Sequence, residues 1–103
     1  MEDLRSRIDF DVRTALLDLG AAGERVGVAQ RALDLAREQL TQAKDRFEAG
    51  VANNVDVVQA QQALADATES YISSVYDHNV AKAAMARALG VAEAMYQDFV
   101  RGN

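Results

Sequence analysis

The sequence predicts an all-α fold, a long antiparallel coiled-coil helical hairpin with a short C-terminal helix. Three observations favour this fold class. Apolar residues recur at alternating steps of three and four along most of the chain, which is the heptad pattern of a coiled-coil seam. Proline is absent from the 103 residues, so nothing forces a break inside a helix. A short segment with one glycine and two asparagines, residues 50–54, divides the heptad pattern in two.

The first helix is expected to run from about Asp3 to Ala49, a length of about 70 Å at the rise of an α-helix. A large residue takes one seam position of each heptad and alanine takes the other, so two such helices can approach closely at the alanine layers. The large seam residues are Val12, Leu19, Val26, Leu33, Leu40 and Phe47, and the small ones are Ala15, Ala22, Ala29, Ala36 and Ala43.

The tip of the hairpin is expected at residues 50–53. Gly50 suits the left-handed conformation that commonly follows the end of a helix. Asn53 suits the N-cap of the next helix. Asp56 would then occupy the third helical position, where a carboxylate is favourable beside the positive end of the helix.

The second helix is expected to run from about Asn54 to Leu89, where Gly90 would stop it and leave residues 91–101 as a short extra helix. It repeats the alternation of large and small seam positions. The large seam residues are Val57, Leu64, Tyr71, His78 and Met85, and the small ones are Ala60, Ala67, Ser74, Ala81 and Ala88. Residues 1–103 are therefore interpreted as a single helical hairpin domain.

The two heptad patterns agree on one antiparallel register. When the chain folds back at the tip, large seam residues meet large ones and small residues meet small ones. The predicted large layers are Phe47 with Val57, Leu40 with Leu64, Leu33 with Tyr71, Val26 with His78, and Leu19 with Met85. The predicted small layers are Ala43 with Ala60, Ala36 with Ala67, Ala29 with Ser74, and Ala22 with Ala81.

Each helix also carries an apolar row outside the seam, which in the first helix lies roughly 130° around the axis from it. The rows are Ala21, Val28 and Leu35 in the first helix, and Val58, Ala65 and Ile72 in the second. A helix that is apolar on two sides expects two neighbours. Staves of a helical cylinder have that need, and a four-helix bundle of two hairpins would also meet it. The sequence therefore predicts self-association.

Composition excludes several kinds of site. Without cysteine, neither a disulfide framework nor a thiolate metal site can form. The net charge is −5 and the basic residues are dispersed, so nucleic-acid binding is not expected. No apolar run approaches the roughly 20 residues of a membrane-spanning helix. The segment Met1–Arg5 lacks the apolar region of a signal peptide. If the parent protein is exported, we therefore expect the chain to be a soluble fragment from inside it.

No catalytic motif is present in the sequence. It contains no phosphate-binding glycine loop, no nucleophile elbow and no His-Glu-x-x-His, so neither enzyme activity nor a cofactor is expected. His78 is the single histidine and has no potential ligand at metal-binding spacing. It is interpreted as a structural seam residue, with a pH-sensitive contact as the alternative.

The segment around the tip resembles the hallmark segment of outer-membrane efflux proteins, the TolC family. In residues 46–61 an Arg-aromatic-x-x-Gly stretch ends one helix, small polar residues start the next, and Asp-Val-x-x-Ala-Gln follows. The flanking segments Arg13–Leu19 and Ala86–Gly90 are similar to that family as well. The resemblance covers nearly the whole chain.

This resemblance implies an architecture and a location. In that family three protomers form one channel, with a β-barrel in the outer membrane and a long α-helical barrel in the periplasm. Each protomer has two repeats, each with a helical hairpin whose tip forms the closable entrance and docks on a periplasmic adaptor. The chain would be the hairpin of the second repeat, in the periplasmic portion of a bacterial outer-membrane protein.

The same resemblance implies partners and acting residues. Docking and gating at the tip would involve Arg46, Gly50, Val51, Asn53, Asn54 and Asp56, with Arg46 paired to an acid of a neighbouring hairpin. The implied partners are further copies of the protein (a homotrimer in the full-length parent), a periplasmic adaptor protein and, indirectly, an inner-membrane pump. The simpler alternative is that these residues only form and cap a turn.

Two other functions are compatible with the sequence. The chain could be the coiled-coil hairpin of a periplasmic adaptor, although such hairpins usually carry an arginine-leucine-serine style pattern near the tip, where this chain has Asn53-Asn54-Val55. It could also be a generic dimerising coiled coil of the cytosol. The chain departs from the channel family in having no predicted strand, no second repeat and no export signal.

Overall fold

Two long helices joined by a short turn make up the structure. The computed structural model describes residues 2–101, except for the side chains of Glu2 and Phe99. Helix α1 is Glu2–Glu48 and helix α2 is Asn54–Arg101, with residues 49–53 between them. No strand occurs in this described range. The predicted all-α helical hairpin is therefore confirmed.

The expected break at Gly90 is wrong. Helix α2 continues through this glycine to Arg101, so the described residues contain no separate helix over 91–101. Among residues 2–101 a positive φ occurs at Gly50 and not at Gly90. The seam pattern continues beyond Gly90 at Ala92 and Met95, which are half-buried. Their packing offsets the helix propensity lost at a glycine, which is only about 1 kcal/mol relative to alanine.

The chain forms two compact units. One, the tip unit, is residues 24–76, and the other, the terminal unit, combines residues 1–23 with residues 77–103. In the tip unit the buried side chains lie at seam positions and come from both helices: Leu33, Ala36, Ala43 and Val57. The half-buried seam positions of this unit are Val26, Ala29, Leu40, Ala60, Leu64, Ala67, Tyr71 and Ser74. Phe47 differs, because as the last seam residue before the turn it is 48% exposed.

The core of the terminal unit depends on alanine. Its buried residues are Ala15 and Ala22, the latter only 1% exposed. The larger seam side chains of this unit remain half-buried: Val12, Leu19, His78 and Met85. A Cβ placed on Gly23 would stand 3.6 Å from His78 Nε2, so the imidazole of His78 lies beside this glycine. Because large side chains keep part of their surface exposed, this unit leaves apolar area for further packing.

In the range 2–101 neither α1 nor α2 contains a stretch long and apolar enough to cross a bilayer. The described residues also contain no cluster of three or more histidine, aspartate or glutamate side chains arranged to hold a metal ion.

Candidate functional site at the hairpin tip

Helix α1 ends in a complete Schellman motif. Gly50 adopts a left-handed backbone with φ of 77°. The Gly50 N–H donates to the carbonyl of Phe47 at 3.0 Å, and the Val51 N–H donates to the carbonyl of Arg46 at 3.0 Å. These two bonds satisfy carbonyls that the end of a helix would otherwise leave unpaired. The direction of the chain as it leaves α1 is therefore defined by the backbone.

Helix α2 begins with a side-chain cap. Asn53 Oδ1 accepts a hydrogen bond from the Asp56 N–H at 3.3 Å, which is the N-cap to N3 geometry. Asn54 is the first residue of α2 and Asp56 lies in its first turn, where the carboxylate interacts favourably with the helix dipole. The structure thus places five of the six predicted tip residues, from Gly50 to Asp56, in or directly beside a turn that is capped on both sides.

Three apolar side chains at the tip remain exposed although the turn is fully capped. In a Schellman motif the residue after the glycine often packs back on the helix, but Val51 is 77% exposed. Val55 is 56% exposed and, like Phe47, lies within a few residues of the turn. We call Phe47, Val51 and Val55 the apolar tip. Val55 was not among the predicted site residues, although an apolar residue in the first turn of α2 and outside the seam was a readable signal.

A polar groove lies beside the apolar tip. It is lined by Gln39, Gln42, Ala43 and Arg46 from α1 and by Asp56, Gln59 and Ala60 from α2. Ala43 and Ala60, which the predicted register pairs, therefore line one groove. Arg46 and Asp56 line it together, yet no ion pair within residues 2–101 joins them. The three glutamines were not predicted as site residues; their signal was their recurrence at positions flanking the seam on both helices.

The second apolar rows are exposed in the tip unit. Val28 and Leu35 of α1 and Val58 and Ile72 of α2 each keep more than half of their surface open. Leu35 precedes the groove residue Gln42 by one heptad, so the row of α1 lies on the groove side.

The row of α2 lies on the other side of the tip unit. Val57 is a buried seam residue. Gln59 follows it by two residues and lines the groove. Val58 follows Val57 by one residue, so at about 100° per residue its side chain points to the side of the helix away from Gln59 and the groove. The α2 row, which contains Val58, therefore lies on the opposite side of the helix pair from the α1 row.

A second groove lies in the terminal unit. Its lining is largely apolar and rich in alanine, and it includes three charged residues: Ile8, Asp11, Thr14, Ala15, Asp18, Val80, Ala83, Ala84, Arg87, Ala88 and Val91. Seven of these eleven residues are apolar, so the groove is suited to packing against another apolar surface.

Comparison with known proteins gives a single kind of match. The sequence profile of the family described as outer membrane efflux protein matches residues 10–91, which is well over half of the chain and includes the whole tip. No curated protein and no solved structure matches the chain.

Proposed function

Because the chain belongs to the outer membrane efflux protein family, we propose that it forms one helical hairpin of the periplasmic barrel of an efflux channel. That family consists of oligomeric transport channels of the outer membrane. In this role the chain is part of the export duct, and its tip docks the periplasmic adaptor. The family match favours this function over the adaptor hairpin and over a cytosolic dimerising coiled coil.

The observation that carries the proposal is the apolar tip on a turn that is held by caps at both ends. Val51 stands outside both helices and is 77% exposed, so its side chain, unlike its backbone N–H, does not contribute to the hairpin itself. A preorganised turn loses little conformational entropy when a partner binds. Exposed apolar side chains on such a turn are suited to burial against a second protein. A periplasmic adaptor hairpin is the partner that the family membership suggests.

The exposed rows support a side-by-side arrangement of hairpins. A bundle of two hairpins packed face to face would cover only one of the two rows, because they lie on opposite sides of the tip unit. A series of hairpins, each packing its α1 row near the α2 row of the next, covers both. Staves of a cylinder have this arrangement, which in the full-length parent would be a homotrimer with two hairpins per protomer.

The mechanism we propose is mechanical. Arg46, in the last turn of α1, would hold the entrance closed through an acid of a neighbouring hairpin, and Asp56 would contribute an opposing charge. An adaptor that binds the open arrangement more tightly shifts the equilibrium towards it. Substrate then passes through the duct without covalent chemistry or a cofactor, and an inner-membrane pump contributes only through the adaptor.

The test replaces Val51 by aspartate in the full-length parent. Because Val51 lies outside both helices, the substitution should leave helical content and trimer assembly unchanged. We expect loss of adaptor co-purification and of efflux, since a carboxylate in an apolar contact must be desolvated. The matched control is Val100→Asp, an exposed valine outside the family match, which should retain both. Normal adaptor binding and normal efflux in the Val51→Asp protein would refute docking through the apolar tip.

A further inference from the structure

A stretch of helix α1 is rich in glycine although its packing does not require it. Gly20, Gly23 and Gly27 lie within eight residues, and steps of three and four place them on one face of the helix. A Cβ at Gly20 or at Gly27 would meet no atom within 4 Å. Glycine is the weakest helix former after proline, and it contributes no side chain that shields the backbone bonds from water. The helix is therefore intrinsically weak over residues 20–27.

Helix α2 contains a stretch without a single strong helix former. The eleven residues 70–80 are all serine, tyrosine, β-branched, aspartate, histidine or asparagine, which belong to the lower part of the helix-propensity scale. In this stretch the Ser74 hydroxyl donates a hydrogen bond to the carbonyl of Tyr71 at 2.7 Å. Such bonds compete with the backbone bonds of a helix and often bend it.

The two weak stretches lie level with each other. A Cβ on Gly23 would stand 3.6 Å from His78 Nε2, so residues of both stretches meet in the terminal unit. The boundaries of the two compact units also fall inside these stretches, after Gly23 in α1 and after Tyr76 in α2.

Little else stabilises the helices at this level. Helix α1 has no buried residue between Ala22 and Leu33. Of the hydrogen bonds and ion pairs within residues 2–101, none involves the imidazole of His78. Neither full burial nor a polar bond therefore offsets the low helix propensity.

We propose that residues 20–27 of α1 and residues 70–80 of α2 together form a hinge of the hairpin. Helical segments with weak propensity and few buried contacts open locally at a lower free energy than the rest of a fold. Glycine and serine positions are also common places for a helix to bend. The capped turn at residues 49–53 lies outside the hinge, so bending there leaves the tip intact.

The hinge has a use in the mechanism proposed above, because tips that splay need a place where each hairpin bends. This use rests on the proposed function. The hinge itself is a property of the chain and is measured on the chain alone.

The experiment measures amide hydrogen exchange of the chain at fixed protein concentration. Amides 24–31 donate to the carbonyls of the glycine stretch, and amides 74–84 donate to those of the α2 stretch. We expect both sets to have protection factors at least about tenfold lower than those of amides 33–45 in the tip unit.

Alanine variants test whether the weak residues cause this difference. Gly20→Ala/Gly27→Ala adds two Cβ atoms in open space, and it should raise the protection of amides 24–31 by about tenfold. Ser70→Ala/Ser73→Ala/Ser74→Ala should raise that of amides 74–84 by about fivefold. The matched control is Gly90→Ala, which also fills open space at a helical glycine but lies outside the hinge. It should leave both sets unchanged.

A second measurement reports bending directly. The chain has no cysteine, so spin labels can be attached at introduced cysteines at Phe10 and Glu38, which lie on either side of the glycine stretch. The distribution of distances between them should be broad and should narrow in the Gly20→Ala/Gly27→Ala protein. The same labels at Arg31 and Asp45, with no glycine between them, should give a narrow distribution in both proteins.

Three results would overturn the hinge. One is protection of amides 24–31 and 74–84 equal to that of amides 33–45. Another is a Gly20→Ala/Gly27→Ala protein with unchanged protection and an unchanged distance distribution, which would make these glycines tolerated surface residues. The third is a Gly90→Ala effect on the hinge amides as large as that of the double variant, which would assign their exchange to global unfolding. None of these results alters the Val51 test of adaptor docking.

Discussion

Gly50 and Gly90 both follow a long helical segment, but the chain turns at the first and continues as a helix through the second. Space does not distinguish them, because a Cβ at either position would meet no atom within 4 Å. The backbone does: Gly50 has φ of 77° and Gly90 is helical. The residues on the C-terminal side of each glycine account for this difference. After Gly50 the heptad pattern stops and capping groups begin, whereas after Gly90 it continues at Ala92 and Met95.

A glycine in this chain therefore ends a helix only where a cap and a loss of seam packing coincide with it. At the tip, two backbone bonds and the Asn53 side chain replace the helical bonds that end there. At Gly90 the seam residues on either side keep the helix together, at a propensity cost of about 1 kcal/mol.

Proline at Gly90 should have the largest effect. Because α2 is continuous there, Gly90→Pro removes a backbone donor and forces the ring against the carbonyl of Ala86, four residues earlier. We expect the free energy of unfolding to fall by about 3 kcal/mol or more, measured by denaturant unfolding at fixed protein concentration. Asn54→Pro is the control, since proline is well accepted at the first position of a helix. If both prolines were equally tolerated, α2 would not be continuous at residue 90.

Alanine at Gly50 should have the next largest effect. The left-handed conformation costs a residue with a Cβ about 1–2 kcal/mol, so Gly50→Ala should lower the free energy of unfolding by about that amount. Asparagine tolerates this conformation better than alanine, so Gly50→Asn should cost less. Thermal and denaturant unfolding of the three proteins measure the order. Equal stability of the alanine and glycine proteins would contradict the left-handed cap.

The periodic part of the fold could be predicted from the sequence, because burial along a helix repeats with the heptad. This is why Leu33, Ala36 and Val57, all predicted seam residues, are buried in the structure. The tip could be predicted as well, since Gly50 and Asn53 have specific capping chemistry. The continuity of α2 has a signal in the sequence, the heptad positions Ala92 and Met95 beyond Gly90, but only tertiary packing decides whether that signal outweighs the low helix propensity of glycine.

The candidate site was only partly predictable for a similar reason. The positions of the caps follow from residue types, but the exposure of Val51 depends on whether its side chain packs back on α1, which residue types alone do not decide. Likewise, the groove around Arg46 and Asp56 depends on how two helices face each other across the turn. Its glutamines carry no charge pattern that would single them out in the sequence.

Alanine at Gly90 should have the smallest effect, and with the opposite sign to alanine at Gly50. The added Cβ meets open space and the residue is already helical, so the substitution gains helix propensity. It also restricts the unfolded chain. We expect the free energy of unfolding to rise by about 0.5–1 kcal/mol. The same alanine therefore stabilises one glycine site and destabilises the other, although both have room for it. A loss of stability in the Gly90→Ala protein would mean that residue 90 needs the freedom of a turn and that its contrast with Gly50 is invalid.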